Sequence, residues 1–75
     1  MPELERLLSG VISANQAKVE GWMASEPGCW GYLAGQAVMA CRDHMGRQLT
    51  HLERRVAWSR LWSLLEDARR RLSPP

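Results

Sequence analysis

Two cysteines and two histidines carry the most reactive side chains of this chain. Together, Cys29, Cys41, His44 and His51 offer the four ligands of a tetrahedral zinc site. Structural zinc sites usually present close cysteine pairs on turns, whereas eleven residues separate these two cysteines. Cys41 also lies in an apolar helical pattern, where a free cysteine acts as a small hydrophobic residue. We therefore expect no bound metal.

The same side chains offer a Cys41–His44 nucleophilic pair, because a spacing of three brings two side chains together on a helix. Burial on an apolar face would raise the pKa of the thiol rather than activate it. The sequence shows no glycine-rich phosphate loop, no nucleophile elbow and no paired acids facing a cleft. We expect no catalytic residue, no cofactor, no small-molecule substrate and no enzymatic activity.

Basic residues are the third chemical feature, and nine of the ten are arginines. Residues 1–28 have two basic and four acidic side chains, a balance of −2, whereas residues 29–75 have eight and four, a balance of +4. Six basic side chains surround the segment 46–50: Arg42, Arg47, His51, Arg54, Arg55 and Arg60. They could contact DNA or RNA from a helix-turn-helix unit, although segment 46–50 is long for such a turn and the following helix is longer than a recognition helix needs to be.

The elements that position these residues are predicted by apolar spacing. Residues 28–45 form an amphipathic pattern that ends at Gly46, a typical helix terminator. Thr50 and Glu53 match a capping box at the start of a last helix over 50–72. Its apolar residues recur at steps of three and four, with Trp58 at the centre of the stripe.

The N-terminal part is predicted to be helical with a break. Ser13 and Gln16 match a second capping box, and Gly10 weakens the preceding pattern. We expect two short helices, over about 3–10 and 14–24, or one bent helix.

These patterns predict an all-α domain of three to four helices over residues 1–75. Helices 28–45 and 50–72 form an antiparallel hairpin, the short N-terminal helices pack across it, and residues 73–75 are a frayed tail. A chain of 75 residues has little core, so such domains often need oligomerisation or dense helix packing.

Apolar residues on a second face of both long helices favour a protein interface. The chain is too small to bury two faces of two helices unaided. Tryptophan is enriched at binding hot spots, and four tryptophans occur here. The candidate interface residues are Trp62, Leu52, Val56, Tyr32 and Met39.

The sequence thus favours a small non-enzymatic interaction module, an accessory or regulatory subunit that forms a homodimer or docks onto a larger protein. The alternative is a compact DNA- or RNA-binding regulator. We expect a cytoplasmic location, since no signal peptide and no apolar run of membrane-spanning length is present.

Overall fold

The computed structural model describes residues 2–72 and shows a small all-α domain of four helices in that range. The helices are α1 (Pro2–Ala14), α2 (Gln16–Met23), α3 (Cys29–Met45) and α4 (His51–Leu72). Helices α3 and α4 form the predicted antiparallel hairpin: Arg47 contacts Glu53 beside the connecting turn, and Trp30 contacts Trp62 toward the other end. The predicted tail at 73–75 lies outside the described residues.

The break between α1 and α2 lies at Asn15, and the predicted capping box at Ser13 is wrong. The amide side chains of Asn15 and Gln16 each donate a hydrogen bond of 2.8 Å, to the carbonyls of Val11 and Ile12. These polar residues therefore satisfy the last carbonyls of α1 instead of the first amides of α2. Helix α1 is consequently longer than predicted.

The turn between α3 and α4 has the predicted chemistry. Gly46 adopts a left-handed conformation with φ of 70°, and its amide donates to the carbonyl of Arg42 at 2.9 Å. The capping box is complete, because the amide of Glu53 donates to Oγ1 of Thr50 at 3.1 Å and the amide of Thr50 donates to Oε1 of Glu53 at 2.8 Å. Local sequence thus determines where α4 begins.

The turn after α2 is less regular. Glu26 donates its amide to the carbonyl of Gly21 at 2.8 Å, and Ser25 donates to that of Trp22 at 3.0 Å. This is a Schellman motif with Ser25, at φ of 61°, in the position that glycine usually occupies. A Cβ atom on Gly21 would lie 2.6 Å from Sγ of Cys29, so glycine is required for the close approach of α2 to the start of α3.

The core draws on every helix in the described range. Its largest fully buried side chains are Leu8, Leu33, Leu61 and Leu65. On α4 the innermost residues are Ala57, Leu61 and Leu65, whereas Trp58 is only half-buried. The predicted stripe is therefore rotated, because α1 also packs against α4 on the side of Ala57.

None of the helices described between residues 2 and 72 has both the length and the apolar character that crossing a bilayer requires.

Candidate interaction surfaces

All five predicted interface residues are exposed, but they lie on three separate surfaces. Leu52 and Val56 lie on the outside of α4, near the turn between α3 and α4. Trp62 lies further along α4 and contacts other tryptophans. Tyr32 and Met39 lie on α3. Exposure alone therefore does not make these residues one binding site.

The first surface includes a groove, here called the turn groove, of about 230 Å³. It lies between the start of α1, the end of α3 and the first half of α4. Its described lining residues are Leu4, Cys41, Met45, Leu49, Leu52, Glu53, Val56 and Ala57. Glu53 is the charged member of this set and the other seven are apolar. The groove therefore suits an apolar side chain.

Met45 and Leu4 belong to this surface although sequence reasoning did not assign them to it. The apolar pattern of α3 placed Met45 on the buried half, but it is 40% exposed at the end of the helix. Leu4 is buried, and its position beside Ala57 depends on how α1 packs across the hairpin. No local signal in the sequence specifies that packing.

Beside the turn groove, four exposed residues follow one line along α4. This line, here called the outer α4 face, consists of Leu52, Val56, Ser59 and Ser63. Their spacing of four, three and four is the spacing of a coiled-coil seam. Its first half is aliphatic and its second half carries small hydroxyl side chains.

Trp62 belongs to a tryptophan cluster with Trp22 and Trp30. Its ring lies 5.2 Å from each of the other two rings, at interplanar angles of 86° and 84°. These edge-to-face contacts are favourable aromatic geometries. The guanidinium of Arg69 lies 5.0 Å from the centre of the Trp22 ring. Trp62 is therefore held by two other indole rings while 45% of its surface remains exposed.

The surface on α3 is partly covered by its own neighbours. Nζ of Lys18 lies 5.0 Å from the centre of the Tyr32 ring, within cation–π range. Met39 borders a shallow depression between α1 and α3 that Leu7 and Val11 also line. This surface mixes polar and apolar groups more evenly than the turn groove does.

The six basic residues predicted to contact nucleic acid are all exposed, but three of them have acidic neighbours. Arg47 donates two hydrogen bonds of 2.8 Å to the carboxylate of Glu53. Nε of Arg42 lies 4.0 Å from Oδ1 of Asp43, and Nη1 of Arg60 lies 4.0 Å from Oε1 of Glu5. By contrast, His51, Arg54 and Arg55 form no ion pair with any described side chain.

The Arg47–Glu53 contact fixes the charge of Glu53. Hydrogen bonds from Arg47, and then from the backbone of Thr50, lower the pKa of Glu53 from 4.5 to about 2. The same contact raises the pKa of Arg47. This bidentate pair joins the turn to the first turn of α4, so Arg47 is engaged in holding the hairpin.

The residues weighed as zinc ligands are dispersed. Cys29 and Cys41 are twelve positions apart on α3, which is about 18 Å along the helix axis. Nε2 of His44 lies 3.9 Å from Oε2 of Glu3. Within residues 2–72, no three histidine, cysteine or acidic side chains come together as a metal site would require. Burial raises the pKa of the Cys41 thiol, in the direction that disfavours the reactive thiolate.

Comparison with known proteins gives no match to a family model, to a curated protein or to a solved structure. The outer α4 face has the most exposed large apolar residue among those described, Leu52 at 69%. It also adjoins the turn groove, in which seven of the eight lining residues are apolar.

Proposed function

We propose that this protein is a small non-enzymatic interaction module, an accessory or regulatory subunit, that associates with a second copy of itself through the outer α4 face. The observation that supports this proposal is the exposure of Leu52 and Val56, 69% and 46%, beside the apolar turn groove. Two buried, unpaired cysteines suit the reducing cytoplasm, where we place the module.

The free energy of self-association would come from burying the aliphatic side chains of the outer α4 face. Burying a fully exposed side chain of this type contributes about 1.5–3 kcal/mol. Because Leu52 and Val56 are partly covered by their own chain, burying each of them contributes a fraction of that value. In a twofold dimer each residue is buried twice, because both copies present the same surface. Symmetric pairing therefore doubles the gain from a small apolar patch.

A matched pair of substitutions tests this proposal. Val56 and Met39 are both 46% exposed but lie on different surfaces. We expect light scattering coupled to gel filtration to give a mass approaching twice 8.5 kDa for the parent chain at high micromolar concentration. Val56→Ser should shift the mass toward the monomer, whereas Met39→Ser should leave it unchanged. A parent chain that stays at 8.5 kDa over the whole concentration range would contradict self-association.

Nucleic-acid binding is the second candidate, and one observation favours it. Arg54 and Arg55 are exposed in the first turns of α4 and no described acid pairs with either. Because Arg47 is engaged with Glu53, the remaining basic surface is small. Non-specific binding depends on neutralising several phosphates, so we expect a Kd for random duplex on the order of 10⁻⁴ M or weaker at physiological salt.

Fluorescence anisotropy with labelled single-stranded and duplex oligonucleotides measures this affinity directly. Salt should weaken any binding steeply, since each neutralised phosphate releases counterions. Submicromolar binding at physiological salt that is lost in Arg54→Ala/Arg55→Ala would favour nucleic acid over the protein interface. Arg71→Ala is the matched control, because Arg71 is an exposed arginine of the same helix far from the turn.

A further inference from the structure

The outer α4 face has a direction, since large residues come first and small residues follow. Leu52 and Val56 are succeeded by Ser59 and Ser63 along the same exposed line. A helix laid in the opposite direction would place small residues against large ones along the whole line. Alternation of large and small side chains is what fills a helix interface evenly.

We propose that two copies pair their α4 helices antiparallel along this face, with Leu52 against Ser63 of the second copy and Val56 against its Ser59. This inference rests on the proposed self-association and specifies its geometry. The twofold axis then passes between positions 57 and 58 of the two helices. Each layer of the seam contains one aliphatic and one hydroxyl side chain.

The residues that flank the seam support this register. On one side, Arg55 would face Trp62 of the second copy, which is 45% exposed. An arginine against a tryptophan ring is a favourable cation–π pair. On the other side, Arg60 would extend the Arg47–Glu53 ion pair of the second copy, in which the Glu53 carboxylate is ionised with a pKa of about 2. Both flanks are therefore complementary.

Neighbouring registers bring like charges together. A shift of one heptad toward the N-terminus places Glu53 against Glu53 and Arg55 against Arg55 of the second copy. A shift of one heptad the other way places Arg60 against Arg60 and Glu53 against Asp67. Juxtaposed like charges at flanking positions oppose both of these pairings.

A parallel pairing is also opposed by charge. In parallel two-stranded coiled coils, each flanking residue faces the residue five positions later on the other helix. That relation places Arg55 against Arg60 of the second copy, on both sides of the seam. It also stacks serine on serine in half of the layers. The antiparallel register is thus the arrangement that combines size and charge complementarity.

Spin-label distances test the geometry. His51 and Arg71 are exposed near opposite ends of α4, so a label at either site leaves the core intact. We expect axial separations of about 20 Å between labels at position 51 and about 40 Å between labels at position 71, from a rise of 1.5 Å per residue. The native cysteines are buried, and the parent chain treated with the label is the control for reaction at those sites.

The alternative arrangements give different pairs of distances. Parallel helices give the same short distance at both positions. The register shifted toward the N-terminus gives about 9 Å between labels at position 51 and about 51 Å between labels at position 71. The register shifted toward the C-terminus gives about 30 Å at both positions. If one of these alternative pairs of distances is measured in a dimeric sample, the proposed register is wrong but self-association is still supported. A monomer by light scattering, with no dipolar signal, overturns both.

The substitution Arg55→Glu is an independent test, because the antiparallel and parallel arrangements predict opposite changes in the Kd of the dimer. In the antiparallel register it removes a contact to Trp62 on both sides of the axis, so the Kd of the dimer should rise about tenfold. In a parallel pair it would replace repulsion from Arg60 with attraction, and the Kd would fall. A fall in Kd contradicts the proposal. The thermal melt of the monomer is the folding control, since no described side chain forms an ion pair with Arg55.

Discussion

The tryptophan cluster and the turn end of the hairpin both present exposed apolar residues, yet they differ in what covers them. Trp62 is 45% exposed, but two other indole rings contact it. Leu52 and Val56 border an apolar groove that no described helix fills. An exposed aromatic residue can therefore serve mainly to hold helices together. Exposed aliphatic residues without such contacts are the stronger indication of a binding surface.

The largest expected effect separates these two roles. Trp62→Ala removes two edge-to-face contacts, each worth about 0.5–1.5 kcal/mol, and should lower the free energy of unfolding by about 2 kcal/mol. Leu52→Ala should change that free energy by less than about 0.5 kcal/mol in the monomer. Urea unfolding at protein concentrations low enough to favour the monomer measures both values. Equal losses would show that Trp62 and Leu52 do not differ in role.

A second, smaller effect concerns the left-handed residue that follows α2 near the tryptophan cluster and the one that follows α3 at the turn end. Near the tryptophan cluster, Ser25 occupies a left-handed position, whereas Gly46 occupies the equivalent position at the turn end. A residue with a Cβ atom is disfavoured there by roughly 1 kcal/mol relative to glycine. We expect Ser25→Gly to raise the free energy of unfolding by about 0.5–1 kcal/mol and Gly46→Ser to lower it by a similar amount.

Thermal melts of these two variants test the claim together. The parent and the double variant complete the comparison, and additive changes are expected because the two turns lie at opposite ends of α3. If Ser25→Gly destabilised the protein, the Schellman motif after α2 would not be the conformation of that turn.

The smallest expected effect is a pH dependence confined to the turn end. The pKa of Glu53 is about 2 in the folded protein against an ordinary 4.5, so its contribution to stability is present above about pH 4.5 and is lost as the pH falls toward 2. Because the pair is exposed, salt should weaken the contribution. Glu53→Gln keeps a capping side chain but removes the charge.

Melting temperatures between pH 6 and pH 2.5 measure this effect. The difference in Tm between parent and Glu53→Gln should shrink as the pH falls. Glu20→Gln is the control, because Glu20 forms no ion pair with another described side chain. A difference between parent and Glu53→Gln that is constant with pH would contradict the role of the Arg47–Glu53 pair.

The same contrast shows which features the sequence could predict. At the turn end, the left-handed Gly46 and the Thr50–Glu53 capping box were predictable, because these residues act within a few positions of one another, whereas the Arg47–Glu53 pair was not predicted. The helix boundary at Asn15 was not predictable. Ser13 and Gln16 match a capping box, but the side-chain amide of Gln16 instead donates a hydrogen bond to a carbonyl of the preceding helix. Competing local hydrogen bonds cannot be ranked from spacing alone.

Periodicity identified the exposed candidate interface residues, but it did not show which of them share a surface. Leu52, Val56 and Trp62 share a helix, and the packing of Trp22 from α2 and Trp30 from α3 against Trp62 separates their environments. The turn groove needs Leu4 beside Ala57, which is a contact between distant parts of the chain. Sequence patterns specify faces of single helices, whereas a groove depends on how three helices are arranged.

The tryptophan cluster also bears on the order in which the chain folds. It joins Trp22 to Trp62, so closing it orders most of the chain, while the capping box and the Arg47–Glu53 pair close loops of only a few residues. Loop-closure entropy favours short loops first. The turn between α3 and α4 should therefore form early and the indole rings should meet late. Substitutions in the cluster should accelerate unfolding more than they slow folding.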